Sequence, residues 1–130
     1  MIGRLEQQFT KGQRALGVVT TIAAAERRMI SYRGEARHAA TPWELRHDAL
    51  AGASEAIVAI ERLAQEHGSP ATVGRIRVEP DAVNVIPGFA EFSLDLRDGT
   101  AAGRDATWGI IRHELQRIAA PNDDTPPQET

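Results

Sequence analysis

Hydrophobic and polar positions along the chain switch between two periods. "GVVTTIA" (17–23) is rich in β-branched residues, and "RRMISYRGEARH" (27–38) alternates, so the pair predicts a β-hairpin. The period then lengthens: Leu45, Ala49, Ala53, Ile57, Ile60 and Ala64 recur at helical spacing. Thr41 as N-cap, Pro42 at the first helical position and Glu44 completing a capping box predict where this helix starts. Gly68 and Pro70 predict its end. "ATVGRIRVEP" (71–80) and "FAEFSLDLRD" (89–98) return to a period of two. Ala90, Phe92, Leu94 and Leu96 share one side with Ile76 and Val78, while Glu91, Ser93, Asp95 and Arg97 share the other with Arg75, Arg77 and Glu79. Trp108, Ile111, Leu115 and Ile118 form the stripe of a second helix, stopped by Pro121.

The order strand, strand, helix, strand, strand, helix predicts an α+β two-layer sandwich. Four mostly antiparallel strands would carry both helices on one face, leaving the polar face to meet something other than the domain's own core. Residues 121–130, polar and proline-rich, are expected to be a disordered tail.

Composition narrows the chemistry. At 130 residues the chain is one domain long, and the absence of cysteine excludes disulfides, thiolate metal sites and cysteine nucleophiles. A formal net charge of -3 lacks the basic footprint of a nucleic-acid binder, and the polar sheet face lacks the aromatic pair expected of an RNA-binding sheet. No apolar run approaches the roughly 20 residues that span a bilayer, and the first residues lack the apolar block of a secretion signal. A soluble, cytoplasmic protein without nucleic-acid or membrane partners is the expectation.

Three residues stand out as candidates for chemistry. His38, between a strand and a helix, either ends the strand as a surface residue or offers a donor to a developing oxyanion. Arg97 either pairs with Glu91, Asp95 or Glu79 or presents its fork to a carboxylate. Asn84, shortly before Pro87-Gly88, reads first as turn chemistry. The histidines show no HExxH spacing, no His/Asp/Glu cluster offers a closed metal site, and no serine has a nucleophile-elbow context.

In order and spacing, "GVVTTIA", "GEARHAATP", "RHDAL", "ATVGRIRVEPDAVNVIPG" and "AEFSLDLRD" resemble the lid, or dimerisation, domain of the zinc-dependent aminoacylase and carboxypeptidase superfamily. The similarity runs from Gly17 to about Ala120 and is most specific at "NVIPG" followed by "LDLRD". The branch it resembles most is that of the N-carbamoyl-L-amino-acid hydrolases and allantoate amidohydrolases, the amidase, hydantoinase/carbamoylase group. The resemblance implies a ferredoxin-like lid over residues 17–120, with residues 1–16 leading in from a catalytic domain that these residues do not contain. Two zinc or other divalent metal ions would sit in that catalytic domain, and none in this chain. His38 would stabilise the oxyanion across a homodimer formed through the first helix and an edge strand. Asn84 and Arg97 would grip a small substrate, Arg97 through the substrate's carboxylate.

Departures from the family pattern are local. "HAATP" is one residue shorter than the common "HAGTTP", Ala24-Ala25 replaces a Gly-Gln, and "RLEQQ" would place Arg4 where a related "HIEQG" carries a metal-binding histidine. A guanidinium cannot take that ligand's place. The alternative is a stand-alone dimerisation or small-ligand module without catalysis.

Overall fold

A computed structural model describes the backbone of residues 4–10, 16–18 and 25–119, with side chains over 25–119. In chain order its elements are β1 (Arg4–Thr10), β2 (Leu16–Val18), β3 (Ala25–Arg33), β4 (Arg37–His38), α1 (Ala49–His67), β5 (Ala71–Thr72), β6 (Ile76–Glu79), β7 (Val85–Ile86), β8 (Phe89–Arg97) and α2 (Ala101–Ala119). The expected tail at 121–130 and positions 19–23 of the expected first strand lie outside the described residues.

β3 and β8 pair antiparallel over nine residues each, from Ala25↔Arg97 to Arg33↔Phe89. β5 and β6 both lie along the far side of β8, and β1 lies parallel to β3. The main sheet thus takes the order β1-β3-β8-β6 in its longer strands, with β2 and β5 as short additions. Both helices pack on one face, so the layers form the expected ferredoxin-like α+β sandwich.

The core follows the strand alternation. Ile30, Tyr32, Ala90, Phe92, Leu94 and Leu96 are buried beneath Ala53, Ala56 and Ile60 of α1 and Trp108, Ile111 and Leu115 of α2. Alanines let α1 approach closely, and Gly52 rides on the Tyr32 ring. The Tyr32 hydroxyl, deep between layers, donates to the Leu115 carbonyl at 2.7 Å.

Three local expectations are corrected. The hairpin partner of β2 is β1 rather than β3, because β1 occupies the β3 edge along all seven of its residues. "ATVGRIRVEP" is not one strand: β5 and β6 flank an interruption at residues 73–75, where Ser93 N–H donates to the Arg75 carbonyl at 3.0 Å. The first helix starts at Ala49, not at Thr41. Pro42 instead opens a 3-10 turn over Trp43–Leu45, and Arg46 turns extended at ψ 137°. Asp48 is the cap that wins, its carboxylate accepting from Leu50 N–H at 3.0 Å and Ala51 N–H at 3.1 Å. Leu45 is consequently left half exposed. At the other end Gly68, with φ 70°, closes the helix as expected.

An alternating strand also carries charge inward. Glu26 and Arg28 occupy helix-facing positions of β3 and, with Arg104 of α2, are almost fully buried. Glu26 pairs with Arg28, and Arg104 Nε lies 3.5 Å from the second Glu26 oxygen. The Arg28 guanidinium stacks 3.7 Å from the centre of the Trp108 ring. Burial pushes the Arg28 pKa down to about 9, against a raising influence from Asp105. Among the described residues, no helix is long and apolar enough to cross a membrane.

Candidate functional site

His38 stands on a small two-stranded ribbon beyond the end of the main sheet. β4 pairs with β7 through Arg37↔Ile86 and His38↔Val85, and Ala39 N–H donates to the Asn84 carbonyl at 3.0 Å. The ribbon is possible because two glycines remove side chains where backbones meet. A Cβ on Gly34 would lie 1.9 Å from the His47 carbonyl oxygen, and one on Gly88 2.8 Å from Ala36 N. Gly34 N–H donates to the Gly88 carbonyl at 2.8 Å, and Ala49 N–H to the Pro87 carbonyl at 3.0 Å. "NVIPG" is therefore a strand and a helix-docking point as well as a turn.

The segment after His38 is fixed by Arg46. Its Nε donates to the Thr41 carbonyl at 2.8 Å and its Nη2 to the Ala39 carbonyl at 2.7 Å, while its guanidinium sits 4.0 Å from the Trp43 ring centre. Sequence reasoning did not single out Arg46; its only signal was an arginine just ahead of the Asp48 cap. Within this turn, Ala40 N–H donates to His38 Nδ1 at 2.9 Å. A nitrogen that accepts carries no proton, so the neutral ring is protonated at Nε2 and presents that N–H outward from an exposed side chain. Asn84 is also exposed, and its side chain has no hydrogen-bond partner among the described residues.

Arg97 lies elsewhere. It ends β8, whereas the ribbon adjoins the start of that strand, and a nine-residue strand separates its ends by about 26 Å. The structure sets the backbones of His38 and Asn84 side by side at the ribbon and does not bring Arg97 to them within one protomer. On the polar sheet face, Arg97 Nε and Nη2 donate to Asp95, two residues earlier on the same strand, at 2.9 and 3.3 Å, which is one of the ion pairs expected from the sequence. Asp95 also accepts from Arg27 Nε at 3.3 Å, a contact set by the Arg27↔Asp95 register that periodicity alone does not reveal. The bonds from Arg97 first, and then those from Arg27 working against partial burial, hold the Asp95 carboxyl below its usual range.

A depressed carboxylate contributes stability above its unfolded pKa and loses it as pH falls through the folded value. Replacing Arg97 by glutamine is expected to raise the Asp95 midpoint toward the ordinary carboxylate range in a carboxyl-carbon NMR titration. An unchanged midpoint would show that the Arg97 pair contributes nothing in solution.

Among the described residues, no group of three or more His, Cys, Asp or Glu side chains could hold a metal ion. The exposed donors of His38 and Asn84 thus lie on the ribbon beyond one end of β8, and the Arg97 guanidinium, engaged by Asp95, lies at the other end.

Comparison with known proteins shows the family. Residues 28–123 match the family model described as the peptidase dimerisation domain. An N-carbamoyl-L-amino acid amidohydrolase of Geobacillus stearothermophilus is 42% identical over 106 residues, covering 80% of this chain and 26% of the relative. An allantoate amidohydrolase of Bacillus subtilis is 40% identical over 89 residues, covering 65% of this chain and 21% of the relative. The crystal structure of a hydantoinase/carbamoylase family amidase from Burkholderia vietnamiensis superposes with a TM-score of 0.71 at 34% identity, covering 75% of this chain and 24% of that one. The chain thus spans about a quarter of the length of the curated relatives it matches. With a match across most of its length and the same fold in a solved relative, the chain belongs to the peptidase dimerisation domain family.

Proposed function

We propose that this chain is the lid and pairing domain of a metal-dependent amidohydrolase acting on N-carbamoyl-amino acids or related amides. Residues 17–120 form the lid in this reading, and the implied pair of divalent metals belongs to a catalytic domain outside these residues. The described residues supply no ligand set for them. The observation that carries the proposal is the His38 turn: with Nδ1 engaged by Ala40, the Nε2–H is a fixed, solvent-facing donor. When water adds to an amide carbonyl, charge collects on the carbonyl oxygen, and such a donor stabilises it. Asn84 beside it offers both a donor and an acceptor to the same substrate. Arg97 receives the substrate carboxylate.

The 26 Å or so between the two ends exceeds the size of any such substrate, so His38 and Asn84 act in one site and Arg97 in another. A homodimer reconciles them: each catalytic site takes Arg97 from its own lid and the His38–Asn84 ribbon from its partner. Pairing through α1 and β6 is supported by the exposed Val58 on α1, at 70%, and Ile76 on β6, at 46%. The outer edge of β6 is unpaired among the described residues and can meet its own two-fold copy.

The test is a chimera in which residues 28–123 replace the matching segment of the Geobacillus amidohydrolase named above. We expect hydrolysis of N-carbamoyl-amino acids, with His38→Ala lowering kcat by about 10²–10³-fold. An active chimera indifferent to His38 would sink the assigned role.

A further inference from the structure

The polar sheet face, away from both helices, holds a pocket of about 620 Å³ whose lining includes Arg27, Thr72, Arg75, Ser93, Asp95 and Arg97. That volume suits a small metabolite. Its charge is unusual for this chain. Three exposed guanidiniums face a single carboxylate, in a protein whose formal net charge is -3.

The donors are also unspent. Arg97 commits Nε and Nη2 to Asp95 and keeps Nη1 free. Arg27 commits only Nε, to the same carboxylate. Arg75 makes no side-chain hydrogen bond or ion pair among the described residues; only its backbone carbonyl is engaged, by Ser93. Asp95, gripped from both sides, holds two of the forks in place, while the interruption between β5 and β6 sets the third at the opposite rim. One substrate carboxylate on Arg97 would leave the Arg75 fork and the outer edge of Arg27 facing the same space without a counter-charge.

We propose that this pocket selects substrates bearing a second acid group, held by Arg75 with help from Arg27, while the first rests on Arg97. The substrate class is thereby narrowed to small diacids, such as N-carbamoyl derivatives of acidic amino acids. This rests on the reading of Arg97 as the carboxylate-holding residue, and Arg27 and Arg75 become determinants of specificity.

The experiment is a pair of NMR titrations of the full 130-residue chain with N-carbamoyl-L-alanine, one carboxylate, and N-carbamoyl-L-aspartate, two. The diacid is expected to bind roughly fivefold tighter, a size in keeping with exposed ion pairs. Arg75→Gln should bring the diacid down to the affinity of the monoacid and leave the monoacid unchanged. Arg97→Gln should weaken both. Arg77→Gln, on the same face outside the pocket, should change neither. Equal affinities for the two ligands, or a diacid preference that survives Arg75→Gln and Arg27→Gln, would overturn the second-acid site while leaving the Arg97 reading intact. A diacid preference lost equally in Arg77→Gln would reduce the effect to bulk charge and overturn it too. Monoacid binding indifferent to Arg97→Gln would overturn the parent reading instead, and failure of either ligand to bind would overturn both.

Discussion

Replacing Glu26 by glutamine is expected to cost about 3–5 kcal/mol of folding stability, because it leaves the buried Arg28 guanidinium without its carboxylate, while Arg104 loses one and keeps its bonds to Asp105 at 3.2 and 3.3 Å. Arg28 and Arg104 both lie against Glu26, and all three are nearly excluded from water. Arg28 is already pushed down to about 9 by burial, so its charged form is costly even with the partner in place. The Trp108 ring beneath it offers partial compensation, worth about 2 kcal/mol when desolvated. For a domain of this size the loss is a fall of about 10–20 °C in Tm, read by thermal denaturation. The companion variant replaces all three residues by methionine and is expected to recover most of that loss, since a well-packed apolar group needs no counter-charge. A glutamine variant that melts within a few degrees of the parent would mean that the buried charges are neutralised or hydrated in solution.

Mixing two inactive variants of the chimera should restore activity. If each site takes Arg97 from its own lid and His38 from the partner, a dimer of one His38→Ala and one Arg97→Ala protomer contains one site with both residues intact. In a statistical mixture half of the dimers are mixed and half of their sites are complete, giving about a quarter of full activity. His38→Ala mixed with Asn84→Ala should restore nothing, because both residues ride on the same ribbon and every site then lacks one of them. The ribbon pairing, His38↔Val85 with Ala39 bonded to Asn84, makes that distinction sharp. Rescue by the second mixture, or its absence in the first, would break the assignment of ends to sites.

What was legible in the sequence was whatever the local period controls. The alternation from Ala90 to Leu96 gave the buried face of β8, and the Trp108, Ile111, Leu115, Ile118 stripe gave that of α2. The start of α1 was misread because Thr41-Pro42 and Glu44 satisfy a cap pattern on their own. Tertiary contacts overrule it: Arg46 bonds back to residues 39 and 41, and His47 bridges to Glu35, leaving Asp48 as the effective cap. The parallel pairing of β1 with β3 leaves no periodic trace. Nor does inward charge, since Glu26 and Arg28 look polar to any pattern that sorts residues by hydropathy. His38 and Asn84 meet from positions 46 residues apart, so periodicity could not join them; the family resemblance nominated each, and the fold supplies their adjacency.

The interruption between β5 and β6 has a consequence for the fate of the protein at high concentration. It cuts the open sheet margin to the four residues Ile76–Glu79, followed at once by Pro80, and two of the four carry charge. A long flat margin of bare amides and carbonyls recruits strand after strand into fibres. This one is long enough to zip once against a copy of itself and too short and too charged to template further growth, so the feature that shapes one wall of the arginine pocket also protects the domain from aggregation.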